Sequence, residues 1–315
     1  MKMKKGQSGN LSECTLCTQE FFCNFVADSR HVHKGRDECS ETFLVDMSEK
    51  YKILYVTTEI DPFLKITDVA DIVRILPQRL QEMGHEIRIL MPKFGVINER
   101  RNRLHEVVRL SGINIRVGDD EKPLTIKVAS IPNAKLQVYF LDNEDYFQRK
   151  SVLTDPVNNK FHEDNDERAI FFCKGVIETV KKLGWQPDII HCHDWMTSFI
   201  PLYLKTHYKD DPMFRNTKVV FTLYDNGFDH ALPGNFLDKA NIENLKTEAY
   251  GEASYIGVCK GGIQLADATT KGVAIIDSSL EDFMTTTTGE KLFFDADDSD
   301  SYVAGYEQLY NNILN

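Results

Sequence analysis

The chain has 315 residues, of which 42% are hydrophobic and 27% are charged, a composition typical of a globular protein that can bury a sizeable core. Its formal net charge of −11 argues against a surface that binds nucleic acid or an anionic membrane. No apolar run approaches the roughly 20 residues that cross a bilayer, and the polar N-terminus lacks the apolar segment of a secretory signal. We therefore expect a cytoplasmic protein.

Residues 1–47 show little periodic apolar pattern, and we expect them to form a disordered tail. Zinc ligation is the alternative, because Cys14 and Cys17 form a Cys-x-x-Cys pair, with His31, His33 and Cys39 nearby. Their spacing matches no standard zinc finger, so the tail is the favoured interpretation. The three later cysteines fit reduced thiols in a cytosolic core.

The ordered part begins with an apolar run at 52–58 that is typical of a buried strand. Apolar residues then recur at helical spacing over 68–83, where Pro77 should bend the helix and Gly84 should end it. A second strand is predicted at 86–91. A strand, a helix and a strand within about 40 residues indicate a βαβ unit with parallel strands.

The middle of the chain has three strand-like segments, at 105–115, 123–131 and 136–141. Because no helix separates them, they predict an antiparallel insertion or sheet edge.

Helices and strands alternate again in the second half. We predict helices at 165–183, 194–205 and 257–265, strands at 188–192, 218–223 and 266–270, and a last amphipathic helix after the acidic stretch 295–301. This alternation predicts an α/β fold, a Rossmann-like doubly wound sheet in a single domain over 48–315.

Ligands of open α/β sheets bind at the carboxyl ends of the parallel strands, where the strand order reverses. The loop 59–68 lies at such an end, and the helix start that follows favours phosphate. Lys65 would add a positive charge there, or it is a solvated loop residue. At the next such turn His191 and His193 point to the same side of a strand, which raises metal binding as an alternative. Asp194 fits a helix N-cap, and Trp195 fits either the core or a stacking surface.

Five collinear segments over about 52–275 resemble the N-terminal domain of bacterial glycogen and starch synthases. The matching residues are Glu59-x-x-Pro62-Phe-x-Lys65-x-x-x-Val-Ala-Asp71 with Leu76-Pro77 and Gly84-His85, Tyr146-Phe147-x-Arg149, Asp164-Asn-x-Glu167-Arg168, His191-Cys-His193-Asp194-Trp195 with Pro201, and Lys260-Gly-Gly-Ile-x-x-Ala266-Asp267-x-x-Thr270.

The resemblance implies a GT-B glucosyltransferase domain. Such enzymes transfer glucose from ADP-glucose or UDP-glucose to an α-1,4-glucan with retention of configuration, and they use no metal or other cofactor. By position, Lys65 would approach the diphosphate, His193 would contact the donor sugar as the catalytic residue, and Asp71 would shape the junction of loop and helix.

The sequence departs from the family at three places. Where the family has Gly-Gly after the lysine, this chain has Thr67-Asp68. Where the family has His-Asn after Phe-Thr, this chain has Tyr224-Asp225. These four residues therefore stand at positions where the resemblance implies donor binding. A Cβ and a carboxylate hinder the close approach of backbone to pyrophosphate. Thr67 or Asp68 would still cap the helix.

The third departure is that only 45 residues follow Thr270, whereas a second domain needs on the order of 100. We therefore expect a transferase domain that is incomplete alone, with a separate chain supplying the other half. The alternative is a non-catalytic glucan-binding or regulatory relative. A dinucleotide-dependent oxidoreductase is disfavoured, because no Gly-x-Gly-x-x-Gly follows the first strand.

Overall fold

A parallel sheet with helices on both faces positions the residues discussed above. The computed structural model describes residues 50–242, 250–287 and 299–315. Within them the strands are β1 (Lys52–Val56), β2 (Glu86–Pro92), β3 (His105–Glu106), β4 (Ile113–Val117), β5 (Asp120–Ser130), β6 (Gln137–Asp142), β7 (Ile189–His193), β8 (Lys218–Leu223) and β9 (Ala268–Lys271). The helices are α1 (Val69–Glu82), α2 (Glu144–Phe147), α3 (Asn165–Leu183), α4 (Phe199–Lys205), α5 (Phe236–Lys239), α6 (Tyr255–Leu265), α7 (Ser278–Thr286) and α8 (Ser299–Leu314), with a 3₁₀ turn at Trp195–Thr197.

The order of the strands confirms the predicted doubly wound sheet. The sheet runs β3-β5-β6-β2-β1-β7-β8-β9, and β4 pairs with β5 beside this path. The six strands β6-β2-β1-β7-β8-β9 are parallel to one another. Counted along the chain, these parallel strands follow the Rossmann order 3-2-1-4-5-6. The order reverses between β1 and β7, which places the expected ligand crevice at their carboxyl ends.

The remaining strands form the predicted antiparallel edge. β5 pairs antiparallel with β3, β4 and β6. The predicted strand at 105–115 is wrong in its continuity, because it is divided into β3 and β4. Gly112 lies between them with φ of +79°, a conformation that glycine adopts at no steric cost, so the chain turns here.

The two faces of the sheet carry different helices. Neighbouring residues of a strand point to opposite faces. On one face Tyr306 and Tyr310 of α8 hydrogen-bond to Thr270 of β9 and His191 of β7, and α1 packs beside α8. On the other face α3, α4 and α6 pack against one another, and Phe221 of β8 lies beneath α6.

Several helices differ from the sequence prediction, the first being the four-residue α2, which was not predicted. The predicted helix 194–205 is interrupted, since a 3₁₀ turn precedes α4 and the Met196 carbonyl accepts a hydrogen bond from the Cys173 thiol on α3. Helix α7 was not predicted, although Asp277 caps it by accepting from the Ser279 N–H. That Asp-Ser-Ser start was the signal available in the sequence.

Several predicted features lie outside the described residues. These are the tail at 1–47 with its cysteines and histidines, and most of the acidic stretch that precedes α8. Among the helices in the described ranges, none has both the length and the apolar character needed to cross a bilayer.

Candidate active site

Four of the predicted donor-binding residues line one cleft. Thr67 and Asp68 come from the loop between β1 and α1, whereas Tyr224 and Asp225 follow β8. The cleft has a volume of about 350 Å³, and Asn226 and the segment 273–275 after β9 complete its described lining. Three loops that are distant in the sequence thus meet here, because they all follow the carboxyl ends of parallel strands.

A buried carboxylate holds the β1–α1 loop in place. Glu59 is 3% exposed and its Oε2 accepts hydrogen bonds from the N–H groups of Ile66 and Thr67, at 2.5 and 2.9 Å. Its Oε1 accepts from the Thr67 hydroxyl at 2.5 Å. Hydrogen bonds to an ionised acceptor are stronger than neutral ones. Glu59 therefore fixes where Thr67 and Asp68 face the cleft.

Of the two expected caps of α1, Thr67 and Asp68, the side chain of Thr67 makes the hydrogen bond. Asp68 occupies the N-cap position, but its side chain makes no capping hydrogen bond. The Thr67 hydroxyl accepts from the Val69 N–H at 3.3 Å instead. The Asp68 carboxylate is therefore left facing the cleft and solvent.

Lys65 and Asp71 pair with each other on the surface. The Lys65 Nζ lies 2.7 Å from the Asp71 carboxylate, and the two side chains are 55% and 44% exposed. The hydrogen bond that Lys65 donates to Asp71 raises the pKa of Lys65. Neither residue is among those that line the cleft. An exposed pair of this kind exchanges readily with water, so Lys65 can leave it for another anion.

His193 is fully buried at the end of β7. Its Nδ1 lies 2.7 Å from the Tyr224 hydroxyl, and its ring stacks on Tyr55 at a centroid distance of 5.6 Å. The Nε2 atom is buried and has no hydrogen-bond partner among the described residues. Burial lowers the pKa of His193 to about 3, so the imidazole is neutral at physiological pH. Tyr224 lines the cleft and its hydroxyl contacts His193, which is not among the lining residues.

Both ring nitrogens of the neighbouring histidine, His191, are hydrogen-bonded within the core. His191 Nδ1 lies 2.6 Å from the Tyr310 hydroxyl, and its Nε2 lies 2.7 Å from Thr222 Oγ1. The rings of His191 and His193 are 4.0 Å apart, on the same face of the sheet as expected. Within the described ranges, no three His, Cys, Asp or Glu side chains are grouped so that they could hold a metal ion.

Asp194 links the ends of β1 and β7. Its Oδ1 accepts from the Trp195 N–H at 2.5 Å, the N-cap role that was expected, and its Oδ2 accepts from the Thr58 hydroxyl at 3.0 Å. Burial raises the pKa of Asp194 to about 7. The backbone of Asp194 has φ of 75° and ψ of 159°, a region almost restricted to glycine. Trp195, which follows it, is 1% exposed and belongs to the core.

The cleft is acidic. Asp68 and Asp225 contribute two carboxylates, and no Lys or Arg is present among the described residues that line it. Sequence reasoning missed Glu59 and Asn226, although Glu59 could have been found as a carboxylate that closely follows the first strand. A diphosphate in this cleft would need cations from elsewhere.

A Rossmann sheet with a polar cleft at the reversal of strand order is the architecture expected of an N-terminal domain of the GT-B glycosyltransferase class. The fold is similar to that of the catalytic domain of starch synthase IV from Arabidopsis thaliana, with a TM-score of 0.66 and 18% identity over 78% of this chain and 52% of that one. The family model of the starch synthase catalytic domain matches residues 52–272, and the chain belongs to this family.

Curated relatives agree with this assignment. A glycogen synthase of Chlorobium luteolum is 42% identical over 220 residues, which cover 70% of this chain and 45% of the relative. A glycogen synthase of Chlorobaculum tepidum is 42% identical over 224 residues, with the same coverage. The chain thus spans about half the length of the curated relatives it matches. The resemblance to the glycogen and starch synthase family is confirmed.

Proposed function

We propose that this chain forms the donor-binding half of a glucosyltransferase site that moves glucose from ADP-glucose or UDP-glucose to an α-1,4-glucan with retention of configuration. The observation that carries the proposal is the convergence of Thr67, Asp68, Tyr224 and Asp225 on one cleft where the strand order reverses. Open α/β sheets bind their ligands at this point. The glycogen synthases among the relatives give the reaction class.

In this proposal the diphosphate lies beside Thr67 and Asp68, and the sugar lies over Tyr224. Lys65 reaches the diphosphate after leaving Asp71, an exchange that its 55% exposed side chain permits. His193 acts as the catalytic residue toward the sugar once the Tyr224 ring moves aside. The neutral imidazole then offers Nδ1, which Tyr224 has released, as a hydrogen-bond partner. Asp71 shapes the junction of loop and helix.

The acidity of the cleft supports a need for a second chain. A negative charge about 4 Å from a carboxylate costs about 4 kcal/mol at an effective dielectric constant of 20. Asp68 and Asp225 both face the cleft without a cationic neighbour among its described lining. We propose that a separate chain closes over the cleft and supplies the cations that neutralise the diphosphate.

A non-catalytic relative that binds glucan or regulates glycogen metabolism is the second candidate. The burial of His193 and its hydrogen bond with Tyr224 favour it, because a sugar would have to disrupt this contact to reach the imidazole. Carboxylates and a phenol are also suitable hydrogen-bond partners for the hydroxyls of a glucan.

Calorimetric titrations with ADP-glucose, UDP-glucose and maltoheptaose separate the two candidates. For the donor site we expect weak binding of a nucleotide sugar by the parent, and binding at least tenfold tighter by Thr67→Gly/Asp68→Gly. Asp68→Asn separates the charge from the Cβ, and Asp119→Asn, on an exposed turn, controls for net charge. Binding of maltoheptaose alone, unchanged in the glycine variant, would favour the second candidate.

We also propose that residues 48–315 form the folded domain, that 1–47 are a tail, and that the protein is cytoplasmic. The described cysteines support this location, because Cys173, Cys192 and Cys259 are buried free thiols. Deletion of residues 1–46 should leave the melting temperature unchanged. A large drop would show that the segment is part of the fold.

A further inference from the structure

A second and larger groove lies on the face of the sheet that carries α3 and α4. It has a volume of about 980 Å³ and shares no lining residue with the acidic cleft. Its walls are β4, α3, the end of α4 with the turn that follows, and the end of α5. This volume is within the range of small-molecule sites.

The groove has the opposite charge to the rest of the protein. Its described lining includes four cationic side chains and two carboxylates, namely Arg116, Lys174, Lys205, Lys209, Glu178 and Asp238. The whole chain has a net charge of −11. A concave surface with a local excess of positive charge concentrates anions.

Lys174 is the most informative residue of the groove. Its Nζ donates to the Arg116 carbonyl at 2.6 Å and to Asn241 Oδ1 at 3.0 Å, and both acceptors are neutral. Within the described ranges it forms no ion pair with a carboxylate. Burial and the charge of Arg116 lower the pKa of Lys174 to about 8. A half-buried ammonium without a carboxylate partner gains most from an added anion.

Three further cations line the same groove. The Arg116 side chain is 61% exposed. The carboxylate that pairs with it, that of Asp119, is as far as 3.8 Å from its guanidinium group. Lys209 is exposed and makes no ion pair within the described part of the chain. Lys205 is already paired with Asp267 at 2.9 Å. Arg116 and Lys209 are thus available to a ligand. Lys205 contributes only the electrostatic field of its charge.

The aromatic residues of the groove argue against a glucan as its ligand. Sugars stack on exposed rings, but Tyr203 is 1% exposed and Tyr208 is 7% exposed. Their hydroxyls donate to the Ala240 carbonyl and to Glu178. The Tyr203 ring instead lies 5.4 Å from the Lys174 Nζ, which adds a cation–π contact.

We propose that this groove binds a phosphorylated small molecule, with Lys174, Arg116 and Lys209 contacting the phosphoryl oxygens. Lysine and arginine are the usual partners of phosphate, and arginine can bind it through two hydrogen bonds. The site is separate from the donor cleft and does not depend on the proposed transferase activity.

Calorimetry with inorganic phosphate and pyrophosphate at low salt tests the proposal. We expect pyrophosphate to bind more tightly than phosphate, and Lys174→Met to weaken binding at least tenfold. Lys135→Met, at an exposed loop outside the groove, should change binding less than twofold. Because Lys174 is half-buried and its variant could lose the fold, Lys209→Met and Arg116→Gln provide the same test from exposed positions, each with a severalfold loss.

Three results would overturn the proposal: no pyrophosphate binding at millimolar concentration, equal losses in Lys135→Met and Lys209→Met, or binding that is abolished by Thr67→Gly/Asp68→Gly. The last result would place the anion in the donor cleft. Binding of maltoheptaose that is lost in Lys209→Met would also contradict it, because the groove would then be a glucan site.

Discussion

The Tyr224 hydroxyl lies 2.7 Å from Nδ1 of His193, and this hydrogen bond joins the floor of the cleft to a fully buried imidazole. Among the described residues, the Tyr224 hydroxyl is the only hydrogen-bond partner of the two ring nitrogens of His193. Tyr224 therefore has two roles, since it lines the cleft and satisfies the histidine beneath it.

Tyr224→Phe should destabilise the protein by about 1–3 kcal/mol, the cost of leaving a buried polar group without a partner. Urea unfolding measures the change. Tyr139→Phe is the matched control, because Tyr139 is half-buried on β6 and its hydroxyl has no hydrogen bond in the described part of the chain. Equal effects of the two variants would show that the hydrogen bond to His193 contributes nothing.

Gly272 holds Tyr224 in place by leaving room for its ring. A Cβ at Gly272 would lie 2.1 Å from Tyr224 Cε1, and the ring is too deeply buried to swing outward without losing His193. We expect Gly272→Ala to cost about 1–3 kcal/mol. A Cβ at Gly234 would have no atom within 4 Å, so Gly234→Ala should change the free energy of unfolding little.

The effects of Gly272→Ala and Tyr224→Phe on the free energy of unfolding should not be additive. Gly272→Ala displaces Tyr224, so the hydrogen bond to His193 is already lost when Tyr224→Phe is added. The double variant should therefore be less destabilised than the sum of the single ones. Strict additivity in urea unfolding would mean that Gly272 and the hydrogen bond act independently.

Glu59 should control the order of the β1–α1 loop. Glu59→Ala removes the acceptor of three hydrogen bonds and should cost about 2–4 kcal/mol, whereas Glu59→Gln keeps one acceptor oxygen and should cost less. Hydrogen exchange at the amides of Ile66 and Thr67 should accelerate in Glu59→Ala. Glu106→Gln, on an exposed strand, controls for charge. Unchanged protection of both amides would contradict the role of Glu59.

Asp194 should give the stability a measurable pH dependence. Its pKa is about 7 in the folded protein and about 4 in an unfolded chain, so the native state holds this proton to higher pH. The unfolded chain therefore loses this proton first. The free energy of unfolding falls as pH rises from about 4 to about 7, by about 2–3 kcal/mol over two pH units.

Asp194→Asn should remove this dependence. The buried histidines have lowered pKa values and act with the opposite sign, so parent and variant are compared at each pH to cancel them. The stability of the variant relative to the parent should rise between pH 5 and pH 8. A difference that stays constant across this range would contradict the raised pKa of Asp194.

Much of the fold follows from local patterns. The apolar runs of β1, β2, β7 and β8 and the helical spacing of α3 were predicted from the sequence, and the strand order followed the Rossmann type. Thr67 and Tyr224 were assigned to one crevice although 157 positions separate them. The rule that parallel strands carry their ligands at one edge gave the loop of Thr67, whereas Tyr224 was assigned through the family resemblance.

Other contacts are set by packing between distant segments and have no local signal. The Tyr310 hydroxyl binds His191, a pair 119 positions apart, and the Tyr224 hydroxyl binds His193. The division of 105–115 into two strands depended on a single glycine conformation. The hydrogen bonds of Glu59 required the loop to fold back on its own start.

Methyl NMR of threonine tests the central claim most directly, namely that the acidic cleft is the nucleotide-sugar site. Thr67 lines this cleft and Thr206 lines the groove on the other side of the sheet, so each methyl group reports one site. Titration with ADP-glucose should shift the Thr67 signal, even where the groove also takes up the phosphorylated ligand and the Thr206 signal moves as well. A shift of Thr206 alone, or no shift of Thr67 at saturating ADP-glucose or UDP-glucose, would contradict the account.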